Sequence, residues 1–214
     1  MKKIVLTMAL LVGGLYLQAQ QVRFGIKGGA NLSSLGEYEH VLLVNEDAQL
    51  EYKVGFHAGV FSQIYINQKW GLETGLYFTQ LGGRDQDRDF DEDYKLKATA
   101  NYLQLPLSVF REIQLSDRVK LFPSIGIYAG YGLSGNIKAT GQIQNIDIAK
   151  QQGYFNDFAR RFDFGGTAGV QVGLGNLLLG AGYDQGVLRV NKQKTNWDDN
   201  AYNSNFKLTV GYLF

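Results

Sequence analysis

Period-two alternation of apolar and polar residues is the feature that most constrains this chain. A β-strand directs successive side chains to opposite sides of its sheet, so an alternating segment has one apolar and one polar face. The last segment keeps the pattern up to the final residue: one face carries Phe206, Leu208, Val210, Tyr212 and Phe214, and the other carries Lys207, Thr209 and Gly211. Only Leu213 departs from it. This segment is therefore predicted to be a strand between two chemically different surroundings.

Seven further segments alternate in the same way, at residues 22–33, 53–66, 70–79, 102–111, 119–131, 161–174 and 177–186. Short connections at 67–69, 114–118 and 175–176 take turns with long polar ones near 34–52, 83–97, 134–160 and 190–202. An even strand number with short turns at one end and long loops at the other is typical of outer-membrane barrels. The pattern predicts an all-β chain that forms an eight-stranded antiparallel up-and-down transmembrane β-barrel. Both chain ends are expected in the periplasm and the long loops outside the cell.

Glycine indicates which face of the strands points inward. Most strand glycines lie on the polar face, Gly59 and Gly211 among them. The lumen of an eight-stranded barrel is only just wide enough to be filled by side chains. Glycines there would make room for Lys27, Tyr77 and Lys207, so the polar face is predicted to line the lumen and the apolar face to meet lipid. The alternative is a soluble barrel of the lipocalin type, which would turn its apolar face inward.

The first residues have the composition of a secretory signal peptide. Lys2 and Lys3 precede an apolar stretch at 4–17, and Ala19 is a small residue of the kind that signal peptidase prefers. We expect a signal peptide at 1–19 and an outer-membrane β-barrel at 20–214. Without these two lysines the formal charge changes from +1 to −1. A chain of this charge lacks the excess of basic residues that is typical of nucleic-acid-binding proteins. Without cysteine there is neither a disulfide framework nor a thiolate metal site, and no cofactor is predicted.

Charged residues on the inward face are the first candidate site. They are predicted to form a lumen charge network of Arg23, Lys27, Glu73, Asp184 and Lys207. Asp184 and Lys207 lie on neighbouring strands at similar heights, which suggests an ion pair. Buried charges need partners, so such a network would plug a narrow barrel. A gated or narrow pore and a ligand site are the alternatives, because ionisable residues within a membrane often mark function.

The second long connection is the other candidate site. Its aspartates Asp85, Asp87, Asp89 and Asp91 form a weak candidate for Ca²⁺ binding, although the spacing is not that of an EF-hand. The third long connection sets aromatic residues beside arginines, at 154–161, and suits either a lid over the barrel mouth or contact with lipopolysaccharide or a protein. Catalysis is not predicted, since His57 faces the lumen and lacks a nearby nucleophile with an orienting acid.

Four segments carry a resemblance to a known family: FGIKGGANLS at 24–33, YLQLPLSVF at 102–110, FDFGGTAGVQVG at 162–173 and LTVGYLF at 208–214. They resemble the outer-membrane β-barrel proteins of Bacteroidota that are called PorT-like or "porin family" proteins. The resemblance covers the whole mature chain and implies architecture, without a catalytic signature. The terminal Phe214 resembles the C-terminal signal that is read by the barrel-assembly machinery.

The expected function is that of a binding or scaffolding component of the cell envelope with a plugged lumen. A narrow pore for small solutes is the first alternative, and a lipid-modifying outer-membrane enzyme is the second. Expected partners are outer-membrane lipid or lipopolysaccharide, the barrel-assembly machinery and an envelope protein, whereas nucleic acid is not expected.

Overall fold

The computed structural model describes residues 21–36, 52–89, 92–143, 146–153, 155, 159–190 and 201–214. The predicted signal peptide lies outside the described residues, and so do residues 37–51 and 191–200 of two predicted long connections. The described part contains ten strands: β1 Val22–Gly36, β2 Lys53–Tyr65, β3 Trp70–Asp89, β4 Glu92–Arg111, β5 Ile113–Gln114, β6 Val119–Ile143, β7 Ile146–Gly153, β8 Phe162–Leu174, β9 Leu177–Gly186 and β10 Tyr202–Leu213. No helix among these residues has the length and apolarity that a membrane crossing requires.

Eight long strands close into a barrel in which each strand pairs with its neighbour along the chain. The ring runs β1-β2-β3-β4-β6-β8-β9-β10, and all pairings are antiparallel. It closes through β1 and β10, whose register runs from Gly25 opposite Leu213 to Gly36 opposite Tyr202. The predicted eight-stranded antiparallel up-and-down barrel is therefore confirmed. The remaining strands, β5 and β7, pair with β6 outside this ring.

Two of the predicted long loops are wrong in their conformation, because the described residues there form strands. β3 and β4 stay paired as a hairpin as far as Asp89 opposite Glu92, and β6 pairs with β7 as far as Ile143 opposite Ile146. The expected signal for a strand was alternation between lipid and lumen. Beyond the membrane both faces of a hairpin meet water, so backbone pairing continues without an apolar face.

The apolar face of the strands points outward, as predicted. Val54, Ile125 and Leu208 are 69%, 70% and 66% exposed, whereas the inward-facing His57 and Lys27 are buried. This arrangement is the reverse of a soluble lipocalin-type barrel. A bilayer would cover the outward side chains and leave every backbone hydrogen bond to be made within the barrel. Trp70, Tyr212 and Phe214 are also exposed near the end with the short turns, where an interfacial aromatic girdle is expected.

Inward glycines make room for long side chains, as predicted. A Cβ atom on Gly59 or Gly75 would lie 2.7 Å from the ring of Tyr77. A Cβ atom on Gly211 would lie 2.8 Å from Cγ of Lys27. Both distances are shorter than carbon atoms tolerate. The lumen thus accommodates its aromatic and charged side chains because many of the positions that face them are glycines, which have no side chain.

Gly71 offers a direct test of this packing. A Cβ atom there would lie 2.4 Å from Cζ of Phe110 and 2.8 Å from the carbonyl oxygen of Ile64. Overpacking of this kind typically costs about 1–3 kcal/mol. We expect Gly71→Ala to lower the free energy of unfolding by that amount, as measured by urea titration in lipid vesicles. Gly166→Ala is the control, since its Cβ would have 4.0 Å to the nearest carbonyl oxygen, and it should change stability little.

Candidate functional site

An aromatic cluster fills the lumen at the end with the short turns. It consists of Phe61, Tyr65, Phe110, Phe122, Leu178 and Leu213, all buried. Phe110 stands edge-on to Tyr65 and Phe122, with ring centroids 5.3 and 5.9 Å apart. Leu213, which breaks the alternation of the last strand, is one of its members. We call this set the short-turn cluster.

A second apolar cluster lies in the lumen at the opposite end. Its members are Leu81, Ala98, Ala100, Tyr102, Phe155, Ala159 and Val190. Phe155, from the predicted third long connection, packs edge-on against Tyr102 with centroids 5.6 Å apart. The guanidinium of Arg161 lies 5.2 Å from the centre of the Phe155 ring. In the described part of that connection, the aromatic side chain thus folds inward over the barrel mouth. We call this set the long-loop cluster.

Between the two clusters, Glu73 joins four strands of the barrel. Lys27 on β1 donates from Nζ to Glu73 Oε1 at 2.5 Å, and Gln63 on β2 donates to Glu73 Oε2 at 3.0 Å. Gln171 on β8, across the lumen, donates to the same carboxylate at 3.3 Å. Lys27 also lies 3.9 Å from the centre of the Phe61 ring, which links the polar layer to the short-turn cluster. Glu73 and Lys27 compensate each other's charge in a largely buried site.

Asp184 and Lys207 form a second ion pair in the same layer. Nζ of Lys207 lies 2.6 Å from Asp184 Oδ1, and the hydroxyl of Thr167 donates to the same oxygen at 2.7 Å. In the register, Asp184 lies opposite Asn205, so the pair is diagonal across β9 and β10. The structure therefore brings together the two residues whose strand positions suggested a pair.

His57 is held in the lumen by two neutral partners. Asn31 donates from Nδ2 to the Gln80 carbonyl at 3.3 Å, which leaves its Oδ1 facing His57 Nδ1 at 2.7 Å. Nδ1 is therefore the donor, and Nε2 accepts from the Thr209 hydroxyl at 3.0 Å. Both ring nitrogens are engaged in structural hydrogen bonds, and the imidazole faces away from lipid.

Asp163 is a buried carboxylate held by neutral donors. The hydroxyl of Tyr128 and the amide of Asn203 donate to its Oδ2 at 3.1 and 2.9 Å. The backbone N–H of Phe164 donates to Oδ1 at 2.9 Å. Together these bonds join β6, β8 and β10 near the long-loop cluster.

A small cavity lies among these groups, with a volume of about 90 Å³. Its walls include polar groups of Glu73, His57, Tyr77, Gln104 and Asp184. With these partners, a cavity of this size has room for several water molecules. Within the described residues, no group of three or more His, Asp or Glu side chains is arranged to hold a metal ion.

The other sequence-predicted residues lie elsewhere. Arg23 does not join the ion pairs of the lumen: its guanidinium lies 5.3 Å from the Tyr65 ring, near the short turns. Lys27 does not lie beside Lys207, because the register sets Lys27 opposite Gly211 and Lys207 opposite Asn31. The stagger between β1 and β10 separates the two lysines along the barrel, and Lys27 reaches Glu73 two strands away.

The candidate cation site is not on a loop, because the backbone of Asp85, Asp87 and Asp89 belongs to β3. Asp91 lies outside the described residues. Phe214 is 73% exposed at the end of β10, and its backbone N–H donates to the Phe24 carbonyl at 2.9 Å.

Glu112, which the sequence argument overlooked, anchors the end of β4 near the short turns. It accepts from the Tyr65 hydroxyl at 2.5 Å and lies 2.6 Å from Nζ of Lys120. Partial burial favours the neutral acid, but the hydrogen bonds from Lys120 and Tyr65 outweigh it and hold the pKa of Glu112 below its usual value. The signal in the sequence was Lys120, an inward-facing residue of opposite charge on the neighbouring strand β6.

The two apolar clusters were also missed. The available signal was an apolar residue at an inward position near a strand end, such as Phe61, Phe110, Phe122, Leu178 and Leu213. Each of these residues is an apolar interruption of the polar face of its strand. In the closed barrel they form one buried cluster.

The apolar outer face and the polar, ion-paired interior define an integral barrel of a bacterial outer membrane. Residues 18–190 match the family model of the outer membrane protein beta-barrel domain, and the chain belongs to this family. The family places the protein in the outer membrane, in agreement with the prediction. A search of curated proteins finds no match.

Solved structures with a similar chain trace include Ail, the attachment invasion locus protein of Yersinia pestis, at 16% identity and a TM-score of 0.43, covering 91% of this chain and 99% of that one. Neisserial surface protein A has 15% identity and a TM-score of 0.41, covering 89% and 97%. A major outer membrane protein from Thermus thermophilus has 14% identity and a TM-score of 0.49, covering 91% and 100%. At these values the likeness carries no information about activity.

The Lys27–Glu73 pair predicts a specific pattern of stability changes. Glu73→Gln leaves the buried ammonium of Lys27 without a counter-charge, which typically costs about 3–5 kcal/mol. The double variant Lys27→Met/Glu73→Gln removes both charges and should recover most of that loss in urea unfolding.

Lys120→Gln serves as the control, because it breaks a more exposed pair and should cost about 1 kcal/mol or less. Equal stability of Glu73→Gln and the unmodified protein would contradict the assignment of Glu73 as the counter-charge.

Proposed function

We propose that this protein is a non-conducting outer-membrane barrel that serves as a binding or scaffolding component of the cell envelope. The observation that supports the proposal is a buried apolar cluster at each end of the lumen, with two ion pairs between them. The short connections and both chain ends are assigned to the periplasm and the extended hairpins to the cell surface. The short-turn cluster is then the periplasmic seal and the long-loop cluster the external one.

The lumen side chains argue for closure at three successive levels. An ion crossing the barrel would have to shed its hydration water at the rings of Phe110 and Phe122, which offer no polar group in its place. It would next have to displace the bonds that tie Glu73 to Lys27 and to Gln171 on the opposite wall. At the other end it would have to pass the long-loop cluster. Desolvation of a charge in apolar surroundings is costly, so each layer opposes conduction. Of the three, the short-turn cluster is the main barrier, because its packed rings offer a passing ion no polar group in place of water.

A closed barrel leaves its long connections as the working surface. β3–β4 and β6–β7 extend as paired strands well past the apolar band, and they form a sheet around β6. A paired sheet on a rigid barrel presents a binding surface in a fixed orientation, at little cost in ordering. The proposed partner is a protein of the envelope, and the kinship to PorT-like proteins of Bacteroidota belongs to the same proposal.

Assembly into the membrane is assigned to the last strand. Phe214 is exposed at the lipid-facing end of β10, where the barrel-assembly machinery could engage its ring before β10 pairs with β1. The alternative of a lipid-modifying enzyme has no comparable support, because His57 is hydrogen-bonded to Asn31 and Thr209 inside the lumen, away from lipid.

Planar-bilayer recording tests the closed lumen. Folded protein, identified by its heat-modifiable electrophoretic mobility, should give no conductance steps. Phe110→Ala/Phe122→Ala removes two rings of the short-turn cluster and should produce small, salt-dependent steps. Ile125→Ala removes an outward side chain instead and should stay silent. Steps from the unmodified protein would overturn the proposal, and a silent, folded double variant would show that the cluster is not the barrier.

A photo-crosslinking amino acid tests the scaffolding surface. Position 153 ends β7 and is exposed, and position 208 lies in the lipid-facing band. In native membranes we expect adducts with a discrete envelope protein from position 153 and lipid adducts alone from position 208. Replacement of 84–97 by an Asn-Gly turn serves as a second variant. Absence of protein adducts from position 153 would remove the support for a protein partner at this sheet.

A further inference from the structure

The outward face of the barrel changes character above the apolar band on β3, β4 and β6. Leu103, Tyr131 and Leu133 are the last large apolar side chains on this side. The next outward positions carry a ladder of neutral side chains, in which Gln80 donates to Asn101 at 3.2 Å and Asn101 donates to Ser134 at 3.0 Å. This ladder forms a continuous polar band where the lipid-facing surface ends, on the side of the long-loop cluster.

A row of cations follows the ladder. Lys97 on β4 lies directly opposite Lys138 on β6, and both side chains are exposed. On the other side of β4, the backbone of Arg84 lies opposite Lys97. Three consecutive strands therefore bring cationic residues to one level. We call Lys97 and Lys138, whose side chains the structure describes, the basic row.

Like charges at directly opposed positions of neighbouring strands destabilise a sheet. Among the described side chains, the outward positions between the apolar band and the basic row are neutral: Gln80, Thr99, Asn101, Ser134 and Asn136. Among the described side chains, the carboxylates of Asp163 and Asp184 point into the lumen and are buried. An anion from outside the chain would relieve the repulsion in the basic row.

The height of the basic row limits what that anion is. Lys97 lies six residues beyond Leu103 on the same strand, which corresponds to about 20 Å along β4 and about 15 Å along the membrane normal for a tilted strand. Flexible lysine side chains can bend back toward the membrane while their aliphatic stems cover apolar surface. The ammonium groups thus reach the headgroup region of lipids whose acyl chains lie against the apolar band.

We propose that the basic row binds the phosphate groups of a phosphorylated glycolipid in the outer leaflet, of the lipopolysaccharide type. The acyl chains lie on the apolar face around Leu103 and Tyr131, the sugar contacts the neutral ladder, and the phosphates bridge Lys97 and Lys138. This inference rests on the proposed orientation of the barrel and is independent of whether the lumen is closed. It assigns a lipid partner to the outward face of β4 and β6 beyond the apolar band.

Binding of purified lipid A tests the inference in detergent micelles, where neither orientation nor conductance affects the result. Native mass spectrometry and a titration should show diphosphorylated lipid A bound to the unmodified protein, and enzymatically dephosphorylated lipid A bound more weakly. Lys97→Gln/Lys138→Gln should weaken binding of the phosphorylated lipid by about three- to tenfold, the range expected for two exposed ion pairs. Raising the salt concentration should reduce the difference, because exposed charges are screened.

Lys69→Gln is the matched control, since Lys69 is an exposed lysine in the short connection at the opposite end and its loss should not change binding. The double variant is expected to be at least as stable as the unmodified protein, because it relieves a repulsion, so unfolding does not explain weaker binding. Equal affinity of the double variant and the unmodified protein would overturn the proposal. Competition by inorganic phosphate at the concentration of lipid A would also overturn it, in favour of a free-anion site.

Discussion

Pairing of the first strand with the last is the constraint on which the rest of the structure depends. In a bilayer no water is available to the backbone, so each N–H and C=O group of a spanning strand has to bond to a neighbouring strand. The register from Gly25 opposite Leu213 to Gly36 opposite Tyr202 supplies those bonds for the two strands that would otherwise be edges. Closure also sets the diameter of the lumen, and through it which side chains meet.

The narrow lumen turns packing and charge into one problem. Glycines at Gly59, Gly75 and Gly211 leave space that Tyr77 and Lys27 fill. Because charges so confined need partners, the middle of the barrel is organised by Glu73 with Lys27 and by Asp184 with Lys207. The ends have no such requirement and are filled by apolar rings. The proposed closed state follows from this division between the ends and the middle.

Sequence reasoning recovered the strand number, the lipid-facing side and the role of the glycines, because period-two alternation depends only on backbone geometry and on the contrast between lipid and lumen. It also suggested the Asp184–Lys207 pair, which joins neighbouring strands. It did not find Glu73 as the partner of Lys27, since that contact skips a strand and depends on the stagger of the barrel. The hairpins were read as loops because strands with water on both faces carry no alternation.

Two sets of residues separate what the sequence determines from what only the tertiary structure decides. Alternation alone determined that Leu208 and Val210 face lipid and that Lys207 faces the lumen, because those directions are local properties of a strand. It left Leu213 as an irregularity. Only the closed barrel decided that Leu213 belongs to one buried cluster with Phe110 and Phe122, and that Lys97 lies opposite Lys138 beyond the apolar band. Distances across strands are set by register and shear, and these are properties of the assembled sheet rather than of any one segment.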